Sequence, residues 1–381
     1  MHAAKLDLVT LHPGVSKRRR AAGVLLLTLL LVWIAPLPGL LASGEPAAAF
    51  LRFPPRTEHV AHAPFTWQAF ILLSLPVVAA LALYLIAITR ARPEPPPAVF
   101  QKRFPWWGWL GIVCVAAGWF LAWNDAGVPP AWRRYTFTPL WLGYILTVNA
   151  LAHRRTEQSL LTHHTVWFLA LFPVSAVFWW AFEHLNQFTD NWYYTGLVEL
   201  SDWQYFLQTT LPFSTVLPAV ASTWFLLKTF ARLNAFPLVP VAGHPALAWA
   251  ALGLGVAGLA GLGIWPEALF AMLWLAPLLV LAGLQYLLLG ETLLAPLRHG
   301  DWRPVLQPAL AALVCGFFWE LWNAGSLAQW HYSIPHVDRF RLFEMPLLGY
   351  AGYLPFGLEC ALVIDVTRGM FKERGRFFNH R

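Results

Sequence analysis

Ten runs of mostly apolar residues, each close to the length that crosses a bilayer, leave this chain few ways to fold; they fall at 21–42, 66–89, 106–123, 137–152, 165–187, 204–230, 246–264, 268–289, 305–325 and 342–364. A membrane helix needs about 20 such residues, because the hydrocarbon core is about 30 Å thick and a helix rises about 1.5 Å per residue. In hydrocarbon every backbone polar group must find its partner within the protein. The expected fold is therefore all-α, a polytopic membrane helix bundle of about ten transmembrane helices. Composition agrees, with 58% of the 381 residues hydrophobic and 12% charged, against about 25% charged in soluble domains. Proline interrupts several runs, at Pro76, Pro173, Pro218, Pro277 and Pro355. Neighbouring helices can satisfy the carbonyls that proline frees.

The net charge of +7 raises the question of nucleic acid. The basic residues do not gather in one domain; they flank the apolar runs, as cytoplasmic anchors do, and nucleic-acid binding is set aside. Counting them orients the chain. With the N-terminus inside, 20 Lys and Arg lie on the inner side, from Lys5 and Lys17 to the tail beyond Arg368, and 6 lie outside: Arg52, Arg56, Arg133, Arg134, Arg339 and Arg341. That asymmetry places both termini in the cytoplasm, in a bacterial inner membrane. The first run, with its basic stretch at 17–20 and small residues Ala42-Ser43-Gly44, also has the form of a signal peptide; a retained helix is the favoured reading. The proline-rich segment 91–105 reads as a cytoplasmic linker. The chain thus divides into a two-helix region with linker at 1–104, a first membrane repeat at 105–240, and a second at 241–381 with a basic tail.

The repeats rest on two similar stretches, FWWAFEHLNQFTDNWYY at 178–194 and FFWELWNAGSLAQWHY at 317–332. Each has a glutamate and an asparagine three residues on, Glu183 with Asn186 and Glu320 with Asn323. Each then has an amide before tryptophan, Asn191-Trp192 and Gln329-Trp330, and a tyrosine two residues later, Tyr194 and Tyr332. A proline follows each, at Pro212 and Pro346. Upstream, Tyr144 and Asn149 fall where Tyr286 and Glu291 fall. Four spans per copy give both copies one orientation, a tandem four-helix repeat about a parallel pseudo-twofold axis.

Residues three apart share a helix face, so each Glu–Asn pair points one way, near the outer end of its span. A carboxylate there costs about 2.5–3.5 kcal/mol or more to insert, and must face the bundle interior, pair or stay protonated. Two copies can bring both to one polar site. Glu183, Glu320, Asn186 and Asn323 are the catalytic candidates. Trp180, Trp192, Tyr194, Trp319, Trp330, Tyr332, His184, His331, Glu344 and Tyr350 are the candidates for lining the site. Packing of the two copies through the same hydrogen bonds is the competing account. His184, His331 and His336 fit no metal-ligand spacing, and no metal or other cofactor is expected. Cys114, Cys315 and Cys360 sit within spans as small apolar residues. The run GLGVAGLAGLG at 253–263 has the spacing of close helix approach, not of a nucleotide loop.

The segment WELWN…QWHYSIP…RLFEMPLLGY of the second copy resembles the heterodimeric or fused lycopene cyclase domain of bacteria, archaea and fungi. That family uses a small helical membrane unit twice, with a late acidic residue, a Trp/Tyr stretch and a proline-led helix. Its Pro-x-Glu-Glu pattern is not kept: here the positions read Pro346-Leu347-Leu348-Gly349 and Pro212-Phe213-Ser214-Thr215. The resemblance implies an apolar isoprenoid, carotenoid-like or lipid ligand. It also implies acid-catalysed cyclisation or isomerisation, with Glu183 or Glu320 as proton donor, an Asn orienting it, and π-faces that attract cationic charge. A proton-coupled transporter and a non-catalytic assembly protein are the alternative classes. The charge count predicts that a fluorescent protein fused after Arg381 will fold and fluoresce in cells, whereas a periplasm-dependent reporter inserted near Arg133 will be active; the reverse pattern overturns the orientation.

Overall fold

The computed structural model describes residues 16–44, 46–91, 103–124, 127–290 and 292–371. Most of the linker, Glu291 and the basic residues after Phe371 lie outside these. A helix stands at each of the ten expected places: α1 (Lys17–Ile34) with a short continuation α2 (Pro36–Ser43), α3 (Trp67–Arg90), α4 (Trp106–Trp123), α5 (Phe137–Thr156), α6 (Thr165–Thr189), α7 (Asp202–Phe213) with α8 (Val216–Leu227), α9 (Pro245–Leu262), α10 (Met272–Leu289), α11 (Arg303–Asn323) and α12 (Tyr353–Gly369). Among the described residues nine spans are long and apolar enough to cross a membrane. The exception is α5, whose last turn carries His153, Arg154 and Arg155. The protein is an all-α polytopic bundle; among the described residues sheet is limited to four short strands, β1 (Trp192–Thr195) paired with β2 (Gln329–Tyr332), and β3 (Arg341–Leu342) paired with β4 (Met345–Pro346).

Two spans depart from the apolar pattern. The run 204–230 is broken into α7 and α8 at Ser214 and Thr215, whose hydroxyls bond back to Leu211 and Pro212 carbonyls. The run 342–364 does not begin as a helix. Its first residues form the β3–β4 hairpin and a 3₁₀ turn over Leu347–Gly352, and α12 starts only at Tyr353. Pro346 lacks a donor and is extended, with φ −55° and ψ 139°, so the apolar composition there serves a wall and not a helix.

Each repeat contributes a tight helix hairpin, α4 with α5 and α9 with α10. Small residues let the backbones meet. A Cβ on Gly111 would lie 2.8 Å from the Gly143 carbonyl oxygen, and one on Gly255 would lie 2.8 Å from that of Ala276. This is close approach without a side chain, the usual means of packing where lipid offers no hydrophobic drive. The inner elements α6, α8, α11 and α12 form the buried core. Helix α1 packs against α6, α10 and α12, and α2 against α9, while α3 stays peripheral and is tied to α11 through the Tyr84 hydroxyl, 2.6 Å from the Leu306 carbonyl.

Gly255→Val will force α9 off the α10 backbone. Overpacking of this kind costs about 1–3 kcal/mol, so the melting temperature in detergent will drop. Gly253→Ala, where nothing lies within 4 Å of the new carbon, will leave melting unchanged or slightly raised. Equal behaviour of the two variants would refute the close contact.

Candidate functional site

The ends of α6 and α11 explain why a glutamate is followed by an asparagine. Asn186 donates from its amide to the Trp192 carbonyl at 2.7 Å and accepts from the Trp192 N–H at 3.3 Å. Asn323 does the same with Trp330, at 2.7 and 2.8 Å. Each asparagine thus turns the chain from its helix into a strand. Neither bonds the carboxylate beside it, so the expected orienting role is corrected. The shared face of i and i+3 is real, but the amide is spent on strand backbone.

The strands then deliver donors back to the acids. The Tyr194 hydroxyl donates to Glu183 Oε1 at 2.6 Å, joined by the Trp192 indole at 3.2 Å and the Trp179 indole at 2.9 Å. The Tyr332 hydroxyl donates to Glu320 Oε1 at 2.8 Å, and the Tyr353 hydroxyl does so at 2.8 Å. The second oxygen of Glu320 is buried with no partner. Both glutamates are essentially sealed from solvent, at 1% and 0% exposure. Burial first, and the adjacent carboxyl second, push the phenols of Tyr194 and Tyr332 well above their ordinary range, so both remain protonated donors.

The two strands pair antiparallel with Trp192 opposite Tyr332 and Tyr194 opposite Trp330. Each tryptophan therefore faces the other copy's tyrosine, and exchanging the copies leaves the pairing unchanged. Symmetry fails at two points. The Trp330 indole donates to the Tyr332 hydroxyl at 2.9 Å, where that of Trp192 donates to the carboxyl, and the second difference lies one turn upstream of the acids. Glu183 and Glu320 are 137 residues apart, as are Trp179 and Gly316. A Cβ at Gly316 would lie 2.5 Å from the Tyr353 ring. Glycine therefore admits Tyr353, and a phenol replaces the indole as the extra donor.

Beside this network lies a cavity of about 110 Å³, walled by both copies. Trp179, Trp192, Tyr194, Pro212 and Phe213 come from the first; Trp274, Trp319, Trp330, Tyr332, Met345 and Tyr353 come from the second. The carboxyls stand behind their donors and are reached through them. Of the expected lining residues, Trp192, Tyr194, Trp319, Trp330 and Tyr332 are on the wall. The others are placed elsewhere. Trp180 stacks on Phe206 and bonds Thr210. His184 stacks on Trp33 with ring centroids 4.1 Å apart. His331 and Glu344 pair at 2.9 Å, and the Tyr350 hydroxyl bonds the Leu342 carbonyl. Arg134 and Gln208 also line the cavity and escaped sequence reasoning. Arg134 was counted as a loop cation, and the one cue to Gln208 was an amide inside an apolar run.

A strap formed by residues 51–66 crosses the paired strands. The Thr57 hydroxyl donates to the Trp192 carbonyl at 2.8 Å and the Ser333 hydroxyl to the Val60 carbonyl at 2.7 Å. Arg56 pairs with Asp202 and lies over the Tyr205 ring. His62 meets Glu267 at 2.5 Å, and the Ala63 N–H reaches its other oxygen at 3.1 Å. The charged groups near the site, including Arg341 with Asp338 and Arg134 with Glu199, are thus spent on tying loops. Among the described residues no group of three or more His, Cys, Asp or Glu could hold a metal ion.

Burial acts to raise the Glu267 carboxyl, but bonds from His62 and Ala63 outweigh it and hold it below the ordinary range. A depressed carboxylate adds stability above its ordinary range and loses it as pH falls through the lowered value. The protection factors of the amides over residues 57–66, which correct for the slower intrinsic exchange in acid, will therefore fall on acidification through that interval. Glu267→Gln will show the lowered protection already at neutral pH. A strap that exchanges identically in both proteins contradicts the anchor. No known protein family, curated protein or solved structure matches the chain.

Proposed function

We propose that this integral membrane protein binds an apolar, isoprenoid-like molecule in the aromatic chamber and isomerises it by acid–base chemistry. Support comes from one observation: a cavity shared by both copies is walled by the very side chains that donate to both buried carboxyls. Its lining, mostly apolar with a few convergent polar groups, is of the kind that binds small ligands, and its volume of about 110 Å³ seats the reacting segment of such a molecule and not its whole length.

The two acids have unlike surroundings. Glu183 Oε1 accepts three donors, more support for negative charge than the two that Glu320 Oε1 receives. Glu320 keeps one oxygen without any partner, the place for a proton. Groups with such contrasting environments divide into acid and base. In the proposed step, the Glu320 proton, passed through Tyr332 or Tyr353, adds to a carbon–carbon double bond. The resulting cation is held against the faces of Trp192, Trp319 and Trp330, each worth about 0.5–2 kcal/mol. Loss of a different proton toward Glu183 forms the new double bond, so substrate and product are isomers and no oxidant is needed. This follows the resemblance to lycopene cyclase domains, in a chain without their Pro-x-Glu-Glu carboxylates. By the charge count the chamber lies toward the outer leaflet, since α6 and α11 run outward.

Transport is less well supported. The deeper polar side chains of the first copy satisfy one another: Asn149 with Ser222 at 2.8 Å and Tyr144 with Thr223 at 2.8 Å. They pack helices and do not line a path.

Glu320→Gln keeps the acceptor oxygen for Tyr332 and Tyr353 but cannot donate the acid proton. It will lower conversion by about 100-fold or more, with normal membrane levels of protein, and the substrate will accumulate when lipids of a deletion strain carrying the variant are compared by mass spectrometry with those of the wild type. Normal lipid profiles with the variant would end the catalytic reading, and loss of the protein itself would mark Glu320 as a packing residue.

A further inference from the structure

A second cavity lies apart from the chamber, between α1, α6, α10 and α12, with a volume of about 350 Å³. It falls in the ~300–1,000 Å³ range of ligand pockets. Its walls are apolar except at two points. Glu359, on α12, is 1% exposed, and its Oε2 has no hydrogen-bond partner. Thr28, on α1, lines the same cavity, and its buried Oγ1 also has none. In a bilayer no bulk water satisfies such groups, and each is costly to leave alone. A trapped water needs two to four polar partners and would leave the surrounding apolar volume empty.

We propose that this groove binds one membrane-dissolved alcohol, an apolar chain ending in a single hydroxyl. The hydroxyl both donates and accepts, so it serves the Glu359 carboxyl in either protonation state. The chain lies between Pro173, Ala181 and Phe182 of α6 and Pro277 of α10. No lining residue is cationic, so a fatty acid or a phosphate head would set an anion against a carboxyl without a counter-charge. An amine head would bring a charge of its own into hydrocarbon. The site stands independently of the chamber.

The test uses the full chain purified in detergent and a photoreactive diazirine analogue of hexadecanol. Labelled peptides will map to α1, α6 and α12, and labelling will be competed by hexadecanol but not by palmitic acid or hexadecylamine. Glu359→Leu will reduce labelling about tenfold, the effect of one lost hydrogen bond. Because it removes an unpartnered buried group, its melting temperature will match or exceed that of the wild type. Ala181→Phe fills the groove while keeping both polar groups and will also block labelling, whereas Glu320→Gln will leave it intact. Labelling unchanged in both groove variants, or competed equally by the acid or the amine, overturns the proposal.

Discussion

A carboxyl group inside a bilayer must be given donors by the protein, since the solvent offers none. Glu183 and Glu320 are placed within two turns of the ends of their helices, where the chain can fold back and supply them. The strands after each helix carry the tyrosine and tryptophan donors, and the asparagine three residues past each acid holds the strand by its backbone. Those strands have edges of their own, and each edge is satisfied by the other. One requirement at two points thus generates the turn, the strands, their mutual pairing and the aromatic chamber beside them.

That arrangement fixes what surrounds it. The paired strands would expose polar backbone if uncovered, and residues 51–66 cover them, with hydroxyls and ion pairs at several points. The strap joins α1–α2 to α3, so the N-terminal helices are drawn into the body, with α1 packed on the second repeat. Glycines let the outer hairpins pack backbone to backbone, while the inner helices form the buried core around the acids.

Helix number and placement were legible because bilayer thickness forces long apolar runs, and α4 occupies the expected residues, Trp106–Trp123. The repeated Glu–Asn–Trp–Tyr order was legible because polar residues in such runs stand out. What lay beyond the sequence is partner choice. The spacing of Asn186 from Glu183 shows a common face, yet not that backbone at Trp192 competes for the amide. His184 looked like part of the polar site but stacks on Trp33, a residue 151 positions away. Hydropathy could not separate a helix from the hairpin and 3₁₀ turn at 341–352, because composition there is apolar although only Met345 and Pro346 are buried. Glu359 passed unnoticed because it belongs to no repeated pattern. Its Glu183-type counterparts recur, and it does not.

The exchange of Trp179 for the Gly316–Tyr353 combination has a further effect. Duplicated halves that stayed identical would hold a guest equally well in two opposed poses, half of them presenting the wrong end. Here one wall has an indole and the other a phenol, so the two poses differ in energy. The chamber therefore has a polarity, and a rod-shaped guest whose two ends differ would meet it with one preferred direction.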